Sequence, residues 1–307
     1  MNGILLINKE KGPTSHDVVA KVRKTLKMKK VGHMGTLDPA ATGMLPLLLG
    51  KATRLSRYFI GADKSYRAVI RLGETTDTLD GDGTILTTQE VNVDESQVRS
   101  TVESFLGKQA QLPPMYSAKK VKGKRLYDLA RKGIEVERQP KEIEIKRLEI
   151  ESIDGRDIQL VVDCTSGTYI RVLAADIGDR IGCGAYLFSL ERLSVGDFVL
   201  EDACKVEQLS EPSGFKVLSL STALSGFTTL KLPRNLSTLV SRGHQLNASQ
   251  LLRLKLPSFE SDEVVVLVSE TSEPLAVTRA LVSNGDVSTQ RPDQVVLKSE
   301  CVLAPQP

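Results

Sequence analysis

Val31-Gly32-His33-Met34-Gly35-Thr36-Leu37-Asp38-Pro39-Ala40-Ala41-Thr42-Gly43-Met44-Leu45-Pro46 is the stretch on which the reading of this chain turns. From Val31 to Gly50 there is one acidic residue, Asp38, and neither Lys nor Arg. Glycines and prolines set an irregular backbone around it, as suits a loop that must place one side chain. Just before it, Lys21 to Lys30 holds six Lys/Arg and no acid. A lone carboxylate in an apolar loop beside a dense positive patch points to chemistry on a polyanion. Asp38-Pro39 equally suits a helix start, with Asp38 as cap and Pro39 at the first helical position. The residues by themselves leave both readings open.

Outward from that loop, charge is segregated. Residues 1–60 carry 11 Lys/Arg against 3 Asp/Glu, and residues 117–147 carry 11 against 5. Residues 61–116 and 148–215 are acidic and residues 216–307 nearly neutral, so the net charge is only +3. Two basic segments that converge on one face would bind phosphates, with affinity falling as salt rises. At 307 residues the chain can bury a sizeable core and has room for about two domains. No apolar run approaches the roughly 20 residues of a membrane span, and Met1-Asn2-Gly3-Ile4 lacks the basic and apolar regions of a signal peptide. Cys164, Cys183, Cys204 and Cys301 are far apart, which favours reduced thiols in a cytoplasmic protein over disulfides or a zinc site.

Local patterns predict an α+β fold on a mainly antiparallel mixed sheet flanked by helices. Ile4–Ile7 reads as a buried strand. Ser15 is the expected cap of a helix carrying Val18, Val19, Val22 and Leu26 on one face and Lys21, Lys24 and Lys27 on the other. Lys64–Leu72 alternates, with Tyr66, Ala68, Ile70 and Leu72 on one face. Lys141–Ile150, Asp157–Cys164 and Tyr186–Val195 read as strands, and Glu95–Leu106 and Ile170–Ile181 as helices. The acidic turn Asp77–Gly83 lacks the residue order and closing Glu of a calcium loop, so no metal is expected. Residues 112–138, rich in Pro, Gly and cations, read as a protruding mobile segment with a short helix near Tyr127–Arg131. A boundary is expected near Leu209–Gly214, followed by a small β-rich domain with strands near 264–268, 275–282 and 295–297.

Gly32-His33-x-Gly35-Thr36-Leu37-Asp38-Pro39-x-Ala41-Thr42-Gly43-x-Leu45-Pro46 resembles the active-site motif of the TruB family of pseudouridine synthases. Further matches follow in order: Lys64-Ser65-Tyr66, Arg71-Leu72-Gly73, Pro114-Met115-Tyr116-Ser117-Ala118 and Gly167-Thr168-Tyr169-Ile170-Arg171. The resemblance is strong over residues 3–200 and weak beyond. It implies a pseudouridine synthase domain over 1–212, with 112–138 as an RNA-gripping insertion, and a PUA-like RNA-binding domain over 213–307. One departure is Glu10, which stands where the family has a turn-setting proline.

The implied reaction isomerises uridine 55 in the T-arm of tRNA. Uridine and pseudouridine are isomers, so neither a redox cofactor nor ATP is needed, and no cofactor is expected. The resemblance makes Asp38 the nucleophile, Arg171 the cation pairing with it, and Tyr66 the aromatic stacking on the target uracil. Tyr169 and Leu190 would line the base pocket. His33 would hold the RNA stack open while the base is extruded, which costs a few kcal/mol. Lys9, Lys119 and Lys120 would contact phosphates. On the residues alone, Arg171 is equally a surface ion-pair partner of acids such as Asp176, and Leu190 is plain core. The expected partner is tRNA, with no membrane and no obligatory protein partner for a monomer. A non-catalytic tRNA-folding chaperone and a guide-RNA-dependent synthase are the alternatives.

Overall fold

The computed structural model describes residues 1–116, 120–121, 124–125, 134, 136–211 and 213–304. Lys119 and the helix expected near Tyr127–Arg131 fall outside them.

The strands in chain order are β1 (Gly3–Lys9), β2 (Val31–His33), β3 (Thr42–Leu49), β4 (Lys64–Leu72), β5 (Glu74–Thr76), β6 (Ile85–Thr88) and β7 (Gly107–Gln111). After them come β8 (Lys120–Val121), β9 (Lys124–Arg125), β10 (Lys141–Asp154), β11 (Asp157–Cys164), β12 (Ala185–Val195), β13 (Phe198–Val199) and β14 (Val217–Leu218). A first sheet runs in the order β14-β1-β3-β12-β4-β11-β10-β7, with β2 added to β3 and β13 to β12. All its pairings are antiparallel except β12 with β3, so the mixed, mainly antiparallel sheet is as expected. A second sheet orders β15 (Thr228–Lys231), β17 (Val264–Val268), β18 (Pro274–Ala280), β19 (Val295–Val302) and β16 (Leu246–Asn247). β14 still pairs with β1, so the first sheet reaches past the expected boundary, and the second begins only at Thr228.

Helix α1 (Ser15–Thr25) starts one residue earlier than expected. Thr14 is the cap and Asp17 returns a bond to it, a reciprocal pair that satisfies two orphan donors. Ser15, released from capping, clamps a distant residue instead. Its buried hydroxyl donates to the Leu37 carbonyl and accepts from the Leu37 N–H. Asp38 caps nothing. The Ala41 N–H closes a turn on the Asp38 carbonyl, and β3 follows directly.

The continuous apolar runs of β1 and β3 reflect burial on both faces. Leu5, Ile7, Leu45, Leu47 and Leu49 pack with Val18, Val19 and Val22 of α1. Ile4, Leu6, Met44 and Leu48 pack with Val266, Val268, Val277, Cys301 and Leu303 of the second sheet and its end. Phe59, from the short helix α2 (Ser56–Phe59), joins that second cluster. The half of the sheet around β4 and β11 is covered on one face by α3 (Glu95–Glu103) and α4 (Ile170–Ile181). Its other face is more open, which is why β4 alternates. All four cysteines are free thiols. Among the described residues no helix is long and apolar enough to cross a membrane.

Candidate active site

β3 lends one edge to two partners. β2 pairs with it at Leu47–Leu49, whereas β12 pairs in parallel at Thr42 and Gly43. Between these pairings Pro46 has no N–H to offer, and β2 ends; only the Met34 N–H reaches the Pro46 carbonyl. The chain leaves the sheet there as the loop 34–41 and returns at Thr42. Gly43 permits that return: its φ is +98°, and a Cβ there would lie 2.4 Å from the Arg192 carbonyl oxygen.

Three side chains fix the loop. Ser15 clamps Leu37, as above. Lys9, 0% exposed, donates its ammonium to the carbonyls of Glu10, Pro39 and Ala41 at 3.0, 3.1 and 2.6 Å. Arg192, 1% exposed, donates Nε to the Met44 carbonyl (2.8 Å), Nη1 to Thr36 and Nη2 to Gly35 (both 3.2 Å). Lys9 was expected at a phosphate. That is corrected here: its donors are consumed by backbone inside the protein, and burial pulls its pKa down to about 8 although Asp38 opposes the fall.

The loop delivers Asp38 to Arg171, with Oδ2 and Nη2 3.1 Å apart. Arg171 stands in the first turn of α4, which begins where the buried Gln111 amide clamps Tyr169. Gln111 accepts from the Tyr169 N–H and donates to its carbonyl. The guanidinium is 7% exposed in its side chain and also meets Asp80 Oδ2 at 3.2 Å and the Tyr116 carbonyl at 2.7 Å. Asp176 is not among these partners; the surface ion pair is excluded. Asp38 is half exposed, so one face of its carboxylate is open while the other is held. A charge-assisted bond of this kind fixes orientation as well as charge.

Tyr66, on the core face of β4, lies in register with Arg192 of β12, and Ala68 with Leu190. Register shifts at Leu187/Ser189 and Arg192/Ser194 flank this segment, as bulges do where side chains are re-aimed. Burial pushes the Tyr66 phenol pKa up, and the Arg192 guanidinium partly counters it. Asp38, Tyr66, Tyr169, Arg171 and Leu190 line one cavity of about 270 Å³, together with Lys64 and Arg192. That is on the order of nine times the ~30 Å³ a water occupies, room for a planar base. Lys64 donates to the carbonyls of Ile60 and Ala62, and burial lowers its pKa to about 8.

His33 lies outside that cavity, at the end of β2. Its Nδ1 accepts from the Gly35 N–H at 3.3 Å and its ring meets His16 edge-on. Two members of the cluster, Asp80 and Arg192, escaped the sequence reading, and Lys64 entered it only within a motif match, with no role assigned. Asp80 lay in the acidic turn weighed only as a calcium loop. Arg192 and Lys64 lay in strands, and the available signal was a cation on the same strand face as Leu190 and Tyr66 respectively.

The TruB family pseudouridylate synthase model, which describes the N-terminal domain, matches residues 23–170. The tRNA pseudouridine synthase B of Syntrophus aciditrophicus is 38% identical over 94% of this chain and 94% of its own length. That of Alkaliphilus oremlandii is 49% identical over 68% of this chain and 70% of its own. A crystal structure of a Cbf5-Nop10-Gar1 complex superposes with TM-score 0.78 at 25% identity, covering 99% of this chain and 85% of that one. On sequence and fold together, the chain belongs to the TruB family of pseudouridylate synthases.

Proposed function

We propose that this protein converts a uridine of tRNA to pseudouridine, at position 55 in the T-arm, with Asp38 as nucleophile. The observation that carries the reading is the pairing of a half-open Asp38 with buried Arg171 at a cavity lined by Tyr66, Tyr169 and Leu190. The isomerisation breaks the N1–C1′ bond, forms C5–C1′ and moves a proton from C5 to N1, so atoms and electrons balance without a co-reactant. Asp38 attacks the extruded nucleotide, at C1′ or at C6, and opens a covalent route that divides one hard step into two. Arg171, itself held by Asp80, keeps the carboxylate aimed. Tyr66 stacks on the uracil at the cavity floor, and Leu190 and Tyr169 exclude water from it. His33, at the end of β2, faces the RNA left behind by the flipped base.

The relatives' names support tRNA as the substrate rather than a guide-selected RNA, and the intact Asp38–Arg171 pair supports an enzyme rather than a chaperone alone. We assign RNA contact also to the C-terminal sheet, and a cytoplasmic site of action. The test is purified protein alone with a T-arm stem-loop, followed by mapping of the isomerised nucleotide. Turnover is expected, and Asp38→Asn is expected to abolish it while RNA affinity survives. Full activity of that variant would overturn the assignment.

A further inference from the structure

The catalytic cavity holds more positive charge than its carboxylates balance. Lys64, Arg171 and Arg192 line it against Asp38, and counting Asp80 behind Arg171 still leaves one cation in excess. Arg171 takes both carboxylates, and Arg192 spends its nitrogens on the loop carbonyls. Lys64 is 8% exposed and gives two of its three N–H groups to the carbonyls of Ile60 (3.4 Å) and Ala62 (2.5 Å). Its chain neighbour Asp63 is bonded to Lys146 instead, at 2.6 Å, and among the described residues no carboxylate stands at ion-pair distance from Lys64. Burial lowers its pKa only to about 8, so the ammonium remains the major form at neutral pH. A buried charge without a counter-charge is costly. This one stands two residues before Tyr66 on the same face of β4. A Cβ at Gly35, three residues before Asp38, would lie 3.8 Å from both Lys64 Cε and Arg192 Nη1, so the ammonium stem reaches the catalytic loop.

The chemistry supplies the missing anion. At the outset the negative charge is on Asp38, where Arg171 meets it. Attack at C1′ forms an O–C1′ bond and breaks N1–C1′, whose electron pair leaves with the base as a uracil anion. Attack at C6 forms an O–C6 bond and sends the C5=C6 pair on to O4 as an enolate. In both cases the carboxylate becomes a neutral ester and its charge passes to the pyrimidine. A fixed cation beside the pyrimidine lowers that barrier, and in a water-poor cavity it acts with little screening.

Resting on the function proposed above and deepening it, we propose that Lys64 is a further catalytic residue, whose ammonium meets the negative charge that the uracil acquires as Asp38 gives up its own. Lys64 keeps its proton throughout. Its counter-ion is the reacting base, present only while the bonds change, which accounts for a buried cation that the fold leaves unpaired.

Two neutral replacements in the full chain test this: Lys64→Met, which keeps the stem, and Lys64→Gln, which keeps a donor for the Ala62 carbonyl. Consumption of the target nucleoside is followed under single turnover with saturating T-arm stem-loop, carrying either uridine or 5-fluorouridine at the target. Fluorine at C5 withdraws electrons and holds negative charge in the ring, so the fluorinated base depends less on the ammonium. Both variants are expected to melt cooperatively and to bind RNA as wild type does. Their rate is expected to fall roughly 100-fold on uridine and no more than about tenfold on 5-fluorouridine. Equal losses on the two RNAs, or a folded variant within about fivefold of wild type on uridine, would overturn the proposal. Loss of folding in both variants would overturn it too, since the ammonium would then be a structural tie. Absence of wild-type turnover on the uridine RNA would instead overturn the proposed function, so the two failures are distinct.

Discussion

Replacing Arg192 with lysine tests whether the loop carrying Asp38 is held from outside itself. The guanidinium spans three carbonyls on two sides of the loop, Gly35 and Thr36 before Asp38 and Met44 after it. Lysine keeps the charge, and so keeps the burial cost, but its donors radiate from one point and cannot match a planar fork. Two carbonyls are then left orphaned in a dry environment at about 1–3 kcal/mol each, giving a loss of about 3 kcal/mol. For a protein of this size that lowers Tm by roughly 5–10 °C. The catalytic effect is larger in proportion: a shift of about 1 Å in the carboxylate costs on the order of 100-fold in rate. The assay is kcat and KM on a T-arm stem-loop beside a thermal melt and an RNA-binding isotherm. The expected pattern is a folded variant with a reduced kcat and an unchanged Kd. A variant that melts lower but keeps kcat within about twofold would refute the reasoning, because the loop would then hold its geometry unaided.

Ser15→Ala removes both bonds to Leu37, the residue before Asp38, and is expected to cost about 1–3 kcal/mol together with a fall in kcat; a variant with wild-type melting and turnover contradicts this. Asp80→Asn removes one carboxylate from Arg171 while keeping its shape, and kcat should drop tenfold or more at unchanged KM, read by steady-state kinetics. Burial lowers the His33 pKa, and its Nδ1 accepts a bond that only the neutral ring can accept. The unfolded chain therefore takes up this proton first, near pH 6.5. Stability is lost as pH falls from there toward the lower folded-state pKa, where the loss levels off. Urea titrations from pH 7.5 to 5 should show a shallower decline for His33→Gln than for wild type.

The strands and helices were legible because their patterns are local. Tyr66 to Leu72 alternates in sequence as it does in burial, and Ile170 to Ile181 ends at a left-handed glycine, Gly182. Asp38 and its partner Arg171 were legible only as members of a motif; spacing alone left Asp38 as a cap and Arg171 as a surface cation. Asp80, Arg192 and the true role of Lys9 were hidden for one reason. Their partners are carbonyls or charges brought near by sheet registers that join distant residues, and carbonyls leave no trace in side-chain patterns. Ser15 was misplaced by a single position because Thr14 and Ser15 have equal capping chemistry, and only the packing of Leu37 decides between them.

The gap in the edge of β3 is closed by a side chain that the ribosome adds 148 residues after Met44. Until β12 has been synthesised and laid down, Asp38 sits on a tether with its main anchor missing, and Arg171 arrives scarcely sooner. A nascent chain halted before residue 192 therefore carries Asp38 without the three carbonyl bonds that Arg192 gives its loop. The geometry around Asp38 is thus completed late, when the last strand beside β3 is laid down.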